Sequence, residues 1–324
     1  MTNTHIQGKA TNPFLSKALA PLSKHYAPTD AVEIRIVRPG RVMRDRRGKG
    51  KEAVDDPELT LAVIEGICTS LANKHGLKFD ADTHPKLSCV LPGGHRFECL
   101  LGASVQSGIS LAIRCKHPFT PTWEQMGVTE PILKYLLEAV ELEKNIIVSG
   151  STNTGKTTLL NKFIDTLPDD ERLVAVEDAP ELHIDKFEDD GTGLLADREA
   201  NADSSLITYR GLYDHKMRIT PGRIVFGEIS TLNAGAFLNA LTAGVAGMMC
   251  SIHGNNPHQL IKRKFIQLTA MGGEVVSDAP EILMETIHMI VQIKRDKDGF
   301  RRITDIYEPI NDHYVLKDGK EITS

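Results

Sequence analysis

Nine consecutive residues in the middle of the chain carry its clearest chemical pattern. They are Gly150, Ser151, Thr152, Asn153, Thr154, Gly155, Lys156, Thr157 and Thr158. Their order fits G-x-x-x-x-G-K-[ST], a loop whose glycines let backbone N–H groups approach phosphate oxygens. The pattern predicts that Lys156 reaches the β- and γ-phosphates of a nucleoside triphosphate and that the Thr157 hydroxyl helps to hold Mg²⁺.

The flanking sequence supplies the context that this chemistry requires. The apolar run 145–149 directly precedes the loop, and residues 159–164 follow it with a helical pattern. A helix that begins near Lys156 adds the positive end of its dipole to the phosphate site. We therefore interpret the region as strand, phosphate loop and helix; a glycine-rich turn that binds nothing is the less favoured alternative.

Three acidic residues and a histidine stand where other apolar runs end. Glu177 and Asp178 follow one run, Glu228 follows a second, and His253 follows a third. The carboxyl ends of parallel strands meet at one edge of a sheet, so we expect these side chains beside the phosphate loop. There the acids would polarise an attacking water or, for Asp178 through a water, support Mg²⁺. The alternatives are a helix N-cap for a lone acid and a structural role for the histidine.

Three arginines are candidates for contact with phosphate charge. Arg210 and Arg218 precede the run that ends at Glu228, and arginines of this kind neutralise transition-state charge in their own or a neighbouring chain. Arg114 stands just before a proline-containing segment, where it could project toward a nucleotide in the next domain. For all three the alternative is an ordinary surface arginine.

The chain predicts an α/β protein of two domains. Residues 1–116 alternate in the manner of strands, with one helical stretch, and predict an α+β domain for assembly. Residues 117–127 hold two prolines and a closing glycine and predict a linker. Residues 128–324 contain the phosphate loop and predict the larger, parallel-sheet domain. The polar residues 1–20, with Pro13, predict a loosely held lead-in.

Overall composition limits the functional classes. A formal net charge of −5 argues against wholesale nucleic-acid binding. No apolar run approaches the roughly 20 residues of a membrane span, and the N-terminus lacks the apolar core of a signal peptide. The five scattered cysteines form no C-x-x-C pair, which favours reduced thiols in a cytoplasmic protein. The basic segment 35–51 predicts a solvated hairpin and loop; a patch for anionic lipid or nucleic acid is the alternative.

Four motifs in sequence order carry a family resemblance. The phosphate loop and the segments 176–181, 223–228 and 247–255 resemble the Walker A, Asp box, Walker B and His box of the secretion traffic ATPases. These are motors of type II and type IV secretion, type IV pili and conjugation. Nearly the whole chain is covered, and its N-terminal part is more similar to the conjugation and type IV secretion branch.

This resemblance implies a RecA-like C-terminal ATPase domain that uses ATP and Mg²⁺. It also implies that Glu177 and Glu228 are carboxylates of hydrolysis, that His253 senses the γ-phosphate, and that Arg114 reaches the nucleotide. The protein would form a homo-hexamer at the cytoplasmic face of the inner membrane, with peripheral membrane contact. It would drive assembly or substrate transport of a type IV secretion or conjugation apparatus, whose inner-membrane components would be its partners.

Several positions depart from the pattern of that family. Ser230 and Thr231 replace a common Arg-Gly, Asn233 a frequent Glu, Val245 the His of a Thr-Gly-His, and Ser251 a frequent Thr. The departures at Ser230, Asn233 and Val245 motivate a second hypothesis, a nucleotide-gated and weakly hydrolysing scaffold subunit of the same apparatus. A third, a nucleic-acid translocase, has only the basic segment in its favour and is disfavoured by the acidic total.

Overall fold

The structure, a computed structural model, describes residues 13–116, 120–196, 208–216, 218–296 and 299–322. Contacts divide the chain between residues 119 and 120 into two compact units. This division falls inside the predicted linker 117–127, of which residues 117–119 lie outside the described part. No described helix is both long enough and apolar enough to cross a membrane.

The N-terminal unit is an antiparallel sheet with two helices on one face. Its described elements are α1 (Pro13–Tyr26), β1 (Ala31–Arg38), β2 (Arg41–Arg46), β3 (Gly50–Asp55), α2 (Leu61–His75), β4 (Lys86–Val90), β5 (Arg96–Leu101) and β6 (Ile109–Arg114). The strand order is β3-β2-β1-β6-β5-β4. Alternating residues of β1 and β6, among them Ile34 and Ile113, pack against both helices, as the α+β prediction requires.

The prediction of a loose lead-in over residues 1–20 is wrong for its described part. Residues from Pro13 onward form α1, and Leu15, Leu19 and Leu22 are buried against the sheet. Their spacing of four and three places all three on one helix face. Proline is tolerated in the first turn of a helix, so Pro13 begins this helix rather than preventing it.

The basic segment 35–51 lies mostly in β1 and β2 and pairs with nearby acids. Asp30 binds Arg46 at 2.8 Å and Lys49 at 3.1 Å, and Arg41 binds Asp55 at 2.5 Å. Strand β3, which the sequence analysis did not separate from a loop, supplies some of these acids. The pairing favours the solvated hairpin over an electrostatic patch, because much of the positive charge is already compensated.

The C-terminal unit is built on a nine-stranded sheet. Its described helices are α3 (Glu130–Glu141), α4 (Lys156–Ile164), α5 (Tyr209–Lys216), α6 (Ala234–Thr242), α7 (Pro257–Gln259), α8 (Phe265–Met271) and α9 (Ala279–Thr286). Its strands are β7 (Ile146–Gly150), β8 (Leu173–Glu177), β9 (Thr192–Leu195), β10 (Arg223–Ile229), β11 (Met249–His253), β12 (Met289–Arg295), β13 (Arg301–Glu308), β14 (His313–Lys317) and β15 (Lys320–Glu321). A π-helical turn, Leu260–Lys264, joins α7 to α8.

Strand order brings the predicted strand ends to one edge. The order is β15-β14-β13-β12-β7-β11-β10-β8-β9, and the six strands from β12 to β9 pair in parallel. Successive residues of β7 enter different cores: Ile146 and Val148 pack with α3 and α4, and Ile147 packs with α6, α8 and α9. Helices therefore cover both faces, which explains why these strands are continuous apolar runs.

The described part of the predicted linker, residues 120–127, packs within the C-terminal unit. Met126 is buried in the core beside α3, and the indole of Trp123 lies 5.9 Å from the ring of Phe163 on α4. The Lys162 ammonium stands 4.5 Å above that indole and donates to the Pro121 carbonyl at 2.9 Å. The segment is thus attached to the helix that follows the phosphate loop.

Asn145 organises the opposite end of the sheet. Its side-chain carbonyl accepts from the Met248 N–H at 2.8 Å, and its amide donates to the Thr286 carbonyl at 2.9 Å. It therefore joins the chain before β7 to the chains that enter β11 and β12. The side chain is 7% exposed, so water cannot readily replace these bonds.

We expect Asn145→Ala to destabilise the C-terminal unit by about 3 kcal/mol, because it leaves the Met248 N–H and the Thr286 carbonyl without their partner. Urea unfolding monitored by circular dichroism measures this change. Asn239→Ala, on the exposed side of α6, is the control and should change stability by less than about 0.5 kcal/mol. Equal midpoints for the two variants would contradict the role given to Asn145.

Candidate functional site

The phosphate loop has a shape that requires its glycines. A Cβ at Gly150 would lie 2.5 Å from Thr154 Oγ1 and 2.6 Å from the Ile293 carbonyl oxygen. Gly155 has φ +95° and Asn153 has φ +60°, a left-handed conformation that asparagine tolerates better than most residues. The loop thus turns back on itself at the carboxyl end of β7 and delivers the chain into α4.

Lys156 lies inside this loop. Only 7% of the residue is exposed. Its ammonium donates to the Ser151 carbonyl at 3.1 Å and lies 3.1 Å from His253 Nδ1. The ammonium, the first turn of α4 and the Thr157 hydroxyl therefore gather donors suited to phosphate oxygens.

His253 connects the lysine to the carboxylate of Glu228. Its Nε2 lies 2.9 Å from Glu228 Oε1. An ammonium can only donate, so the contact with Lys156 requires an unprotonated Nδ1 that accepts. The proton of the neutral ring is then on Nε2, which donates to Glu228. Lys156, His253 and Glu228 form a continuous polar chain across the ends of β7, β11 and β10.

Strand register explains why the histidine reaches the loop. In the parallel pairing of β11 with β7, His253 lies beside Gly150. The Gly254 N–H donates to the Gly150 carbonyl at 3.3 Å, and the Ser151 hydroxyl donates to Asn255 Oδ1 at 2.7 Å. The tip of β11, residues 253–255, is consequently attached to the phosphate loop by three successive residues.

Glu177 lies two strands away from β11, at the end of β8. It is 4% exposed, and its Oε2 accepts from the N–H groups of Glu181 at 3.0 Å and Leu182 at 3.1 Å. Burial raises the pKa of its carboxyl to about 7, although these two hydrogen bonds act in the opposite direction. Such a carboxyl can exchange a proton near neutral pH. The neighbouring Asp178 is partly exposed.

The residues present fit a magnesium ion that is shared with a nucleotide. No group of three or more His, Cys, Asp or Glu in the described ranges could hold a metal. Magnesium differs from metals with dedicated protein cages, because it usually takes one or two protein oxygens together with substrate phosphates. Thr157 at the start of α4 and Asp178 after β8 supply oxygens of that kind.

Neither of the two predicted arginines in the C-terminal unit is brought into this constellation. Arg210 is exposed on α5, and Arg218 is exposed in the turn after it; in the described part of the chain neither side chain binds a residue of the site. Arg114 is the last residue of β6 in the N-terminal unit and is exposed. In the backbone register of the sheet it lies opposite Glu33 of β1 and Arg96 of β5. Their roles stay predictions.

Sequence reasoning missed several side chains that support the site. Asn233 is buried, donates to the Glu228 carbonyl at 2.8 Å and accepts from the Ser230 N–H at 2.7 Å. The Ser251 hydroxyl donates to the Gly227 carbonyl at 2.6 Å. Two of the departures from the family pattern therefore fix the backbone on either side of Glu228. The distance of three residues from Ser230 to Asn233, typical of an end cap, was the available signal.

Arg301 on β13 is a further side chain at the phosphate loop that the sequence did not indicate. Its guanidinium donates to Asn153 Oδ1 at 3.3 Å. Its Cδ lies 3.0 Å from the position that a Cβ would take at Gly155. No local motif marks Arg301, because the contact depends on the pairing of β12 with β7 and β13.

Known proteins similar to this chain agree in family. The sequence profile described as "Type II/IV secretion system protein" matches residues 101–298, more than half of the chain. The conjugal transfer protein TrbB of Rhizobium radiobacter is 32% identical over 295 residues, which cover 87% of this chain and 86% of TrbB. The type IV secretion system protein VirB11 of Bartonella quintana is 25% identical over 353 residues, with 94% and 96% covered.

Solved structures agree in fold. The ATPase DotB of Legionella pneumophila has a TM-score of 0.61 at 16% identity, covering 93% of this chain and 83% of DotB. The pilus retraction motor PilT, solved with ADP, has a TM-score of 0.55 at 15% identity, covering 91% and 83%. The predicted fold, a P-loop ATPase domain with an α+β N-terminal domain, is confirmed. The chain belongs to the type II/IV secretion system family of traffic ATPases.

Proposed function

We propose that this protein is an ATP-hydrolysing hexameric motor that drives assembly or substrate transport of a type IV secretion or conjugative transfer apparatus. The observation that carries the proposal is the polar chain from Lys156 through His253 to Glu228. It links the group that would hold the phosphates to the group that would activate water. A protein that only binds nucleotide has no need of that link.

The polar chain from Lys156 to Glu228 would work by an exchange of hydrogen-bond partners when ATP binds. Charge-assisted bonds to phosphate are stronger than the bonds that Lys156 makes to a carbonyl and a neutral imidazole. When ATP occupies the loop, Lys156 turns to the β- and γ-phosphates and leaves His253 Nδ1. Nδ1 could then donate toward the γ-phosphate once it carries a proton, taken up from solvent or moved there from Nε2. In the second case Nε2 would no longer donate to Glu228, so the bond between His253 and Glu228 would depend on whether ATP is bound. Thr157 and Asp178 would hold Mg²⁺, which neutralises phosphate charge when it is bound.

The two carboxylates would have different roles toward the attacking water. Glu228 is partly exposed at the end of β10 and would orient and polarise the attacking water. Glu177 is buried, and with a pKa of about 7 it would accept the proton at neutral pH. Arg210 and Arg218 are exposed, which is compatible with a role at the site of a neighbouring copy, and Arg114 would approach the nucleotide from the N-terminal unit.

The relatives' names support the proposed apparatus and partners. VirB11 is named as a type IV secretion system protein and TrbB as a conjugal transfer protein, which supports a place in such an apparatus. We infer a homo-hexamer at the cytoplasmic face of the inner membrane, bound to membrane components of the machine. Mass measurement by light scattering, with and without ATP, tests the hexamer; a monomer under both conditions would contradict it.

The alternative is the weakly hydrolysing scaffold. Its motivation is the departures at Ser230, Asn233 and Val245. Asn233 and Ser251 bind the backbone around Glu228, so these two departures preserve the position of the carboxylate. This favours the motor over the scaffold.

Lys156→Ala should reduce ATP turnover by at least about a hundredfold and weaken ATP binding, because the cation that meets the phosphates is lost. Steady-state phosphate release and calorimetric titration with ATP measure the two effects. Lys134→Ala, exposed on α3, serves as the matched control and should behave as the wild type. Full turnover in Lys156→Ala would refute the hydrolytic site.

Glu228→Gln separates the motor from the scaffold. We expect turnover to fall by about a hundredfold while ATP affinity stays within about twofold, because a carboxamide cannot polarise water as a carboxylate does. Glu138→Gln, exposed on α3, is its control. If wild type and Glu228→Gln hydrolyse equally slowly and both bind ATP, the scaffold hypothesis is the correct one.

Glu177 should impose a pH limit on turnover. A base must be ionised, and the raised pKa leaves Glu177 protonated below a pH of about 7. We therefore expect kcat/KM for ATP to fall as the pH decreases through about 7 and to level off above it. Glu177→Gln should be slower at every pH and should lack this limb. If Glu177→Gln shows the same decrease of kcat/KM below about pH 7 and the wild-type rate above it, Glu177 is not the base.

A further inference from the structure

Gln292 is an unusual residue for its place in the sheet. It lies in β12 between apolar residues from Met289 to Ile293, and it is 1% exposed. Central strands of a covered parallel sheet are normally apolar throughout. Its register partner on β7 is Ser149, the residue before the phosphate loop, and Ser149 is fully buried.

The amide of Gln292 spans a whole strand. Strand β7 lies between β12 and β11, yet Gln292 Nε2 donates to the carbonyl of Gly254 beyond the end of β11 at 3.0 Å. The side chain thus crosses over β7 and holds the residue that directly follows His253. We call this contact between Gln292 and Gly254 the polar brace.

The polar brace has a cost in stability. Gln292 Oε1 and Ser149 Oγ are buried and have no hydrogen-bond partner among the described residues. An unsatisfied buried polar group costs about 1–3 kcal/mol, so an apolar side chain at position 292 would suit the core better. Stability alone therefore gives no reason for a glutamine here, and the benefit must lie in what its amide holds.

The amide of Gln292 holds a closely packed part of the backbone at the tip of β11. A Cβ at Gly254 would lie 2.6 Å from Ser149 Oγ and 3.1 Å from Leu260 Cδ1, so the backbone passes close to its neighbours. The Gln292 amide therefore fixes the peptide between Gly254 and Asn255, and the Gly150 carbonyl fixes the preceding peptide, between His253 and Gly254, by accepting from the Gly254 N–H. The His253 ring must meet Lys156 on one side and Glu228 on the other, which requires that accuracy.

We propose that Gln292 is a positioning residue for His253: it sets the tip of β11 so that the ring lies between Lys156 and Glu228. The inference rests on the proposed function for its effect on turnover. In that function Gln292 contacts neither the nucleotide nor the attacking water, so replacing Gln292 should leave nucleotide binding intact. The rate of ATP hydrolysis should fall, because a misplaced His253 no longer connects ATP binding at Lys156 with the Glu228 carboxylate.

The test compares Gln292→Met with Ser149→Ala in the full chain. Gln292→Met removes the donor and the unsatisfied oxygen together, and the partly exposed Gly254 carbonyl that loses its donor can bond to water. We therefore expect kcat for ATP to fall about tenfold, with affinity for Mg·ADP within about twofold and a melting temperature close to that of the wild type. Ser149→Ala alters the same buried cluster but leaves the amide contact, so its kcat should match the wild type. Gln292→Asn, whose amide is one methylene too short, should lose rate as Gln292→Met does.

Amide hydrogen exchange without nucleotide provides an arm that does not depend on ATPase activity. Residues 253–256 should exchange faster in Gln292→Met and as wild type in Ser149→Ala. If the wild type binds no nucleotide, the proposed function fails, but this arm still decides the inference. An unchanged exchange rate at residues 253–256 in Gln292→Met overturns it. So does a lower melting temperature with rate and affinity falling together, because that pattern marks a purely structural residue.

Discussion

The buried ammonium of Lys156 is the group around which the C-terminal unit is arranged. A cation removed from water is stable only if acceptors surround it, and the Ser151 carbonyl and His253 Nδ1 are two of these. Both are neutral groups that accept hydrogen bonds. The loop glycines, the start of α4 and the tip of β11 are all placed by the need to surround this one charge while it stays able to meet phosphate.

Accurate placement of the neighbouring strand ends is the second requirement. Because β11 pairs with β7 in parallel, His253 lies beside Gly150, and the next strand brings Glu228 to the same edge. The backbone on either side of Glu228 is then held by Asn233 and Ser251. Positions that look like losses in a motif comparison are, in this chain, local supports for its carboxylate.

The sequence predicts those parts of the site that depend on local pattern. Continuous apolar runs identify β7, β8, β10 and β11, and the parallel-sheet rule places their ends together. What it misses depends on contacts between distant elements. Gln292 reaches Gly254 across a strand, and Arg301 reaches Asn153 from the next hairpin; neither has a neighbour in sequence that would reveal it.

The helix α1 was missed for a different reason. Pro21, in the interior of the helix, weighs against a helix when only local propensity is considered. The leucines of one helix face are buried against the sheet, and that tertiary packing outweighs the proline at position 21. Burial, which a single sequence shows only as periodicity, decided the outcome.

Helix α4 begins at Lys156 and carries Lys162 one and a half turns later, where the side chain binds Pro121 and covers Trp123. The segment between these two lysines is about 9 Å long and lies within one hydrogen-bonded helix, which moves as a stiff unit. Its phosphate end and its linker end therefore cannot shift independently. The strip of chain at 121–123, by which the polypeptide enters the unit, is mechanically continuous with the nucleotide loop.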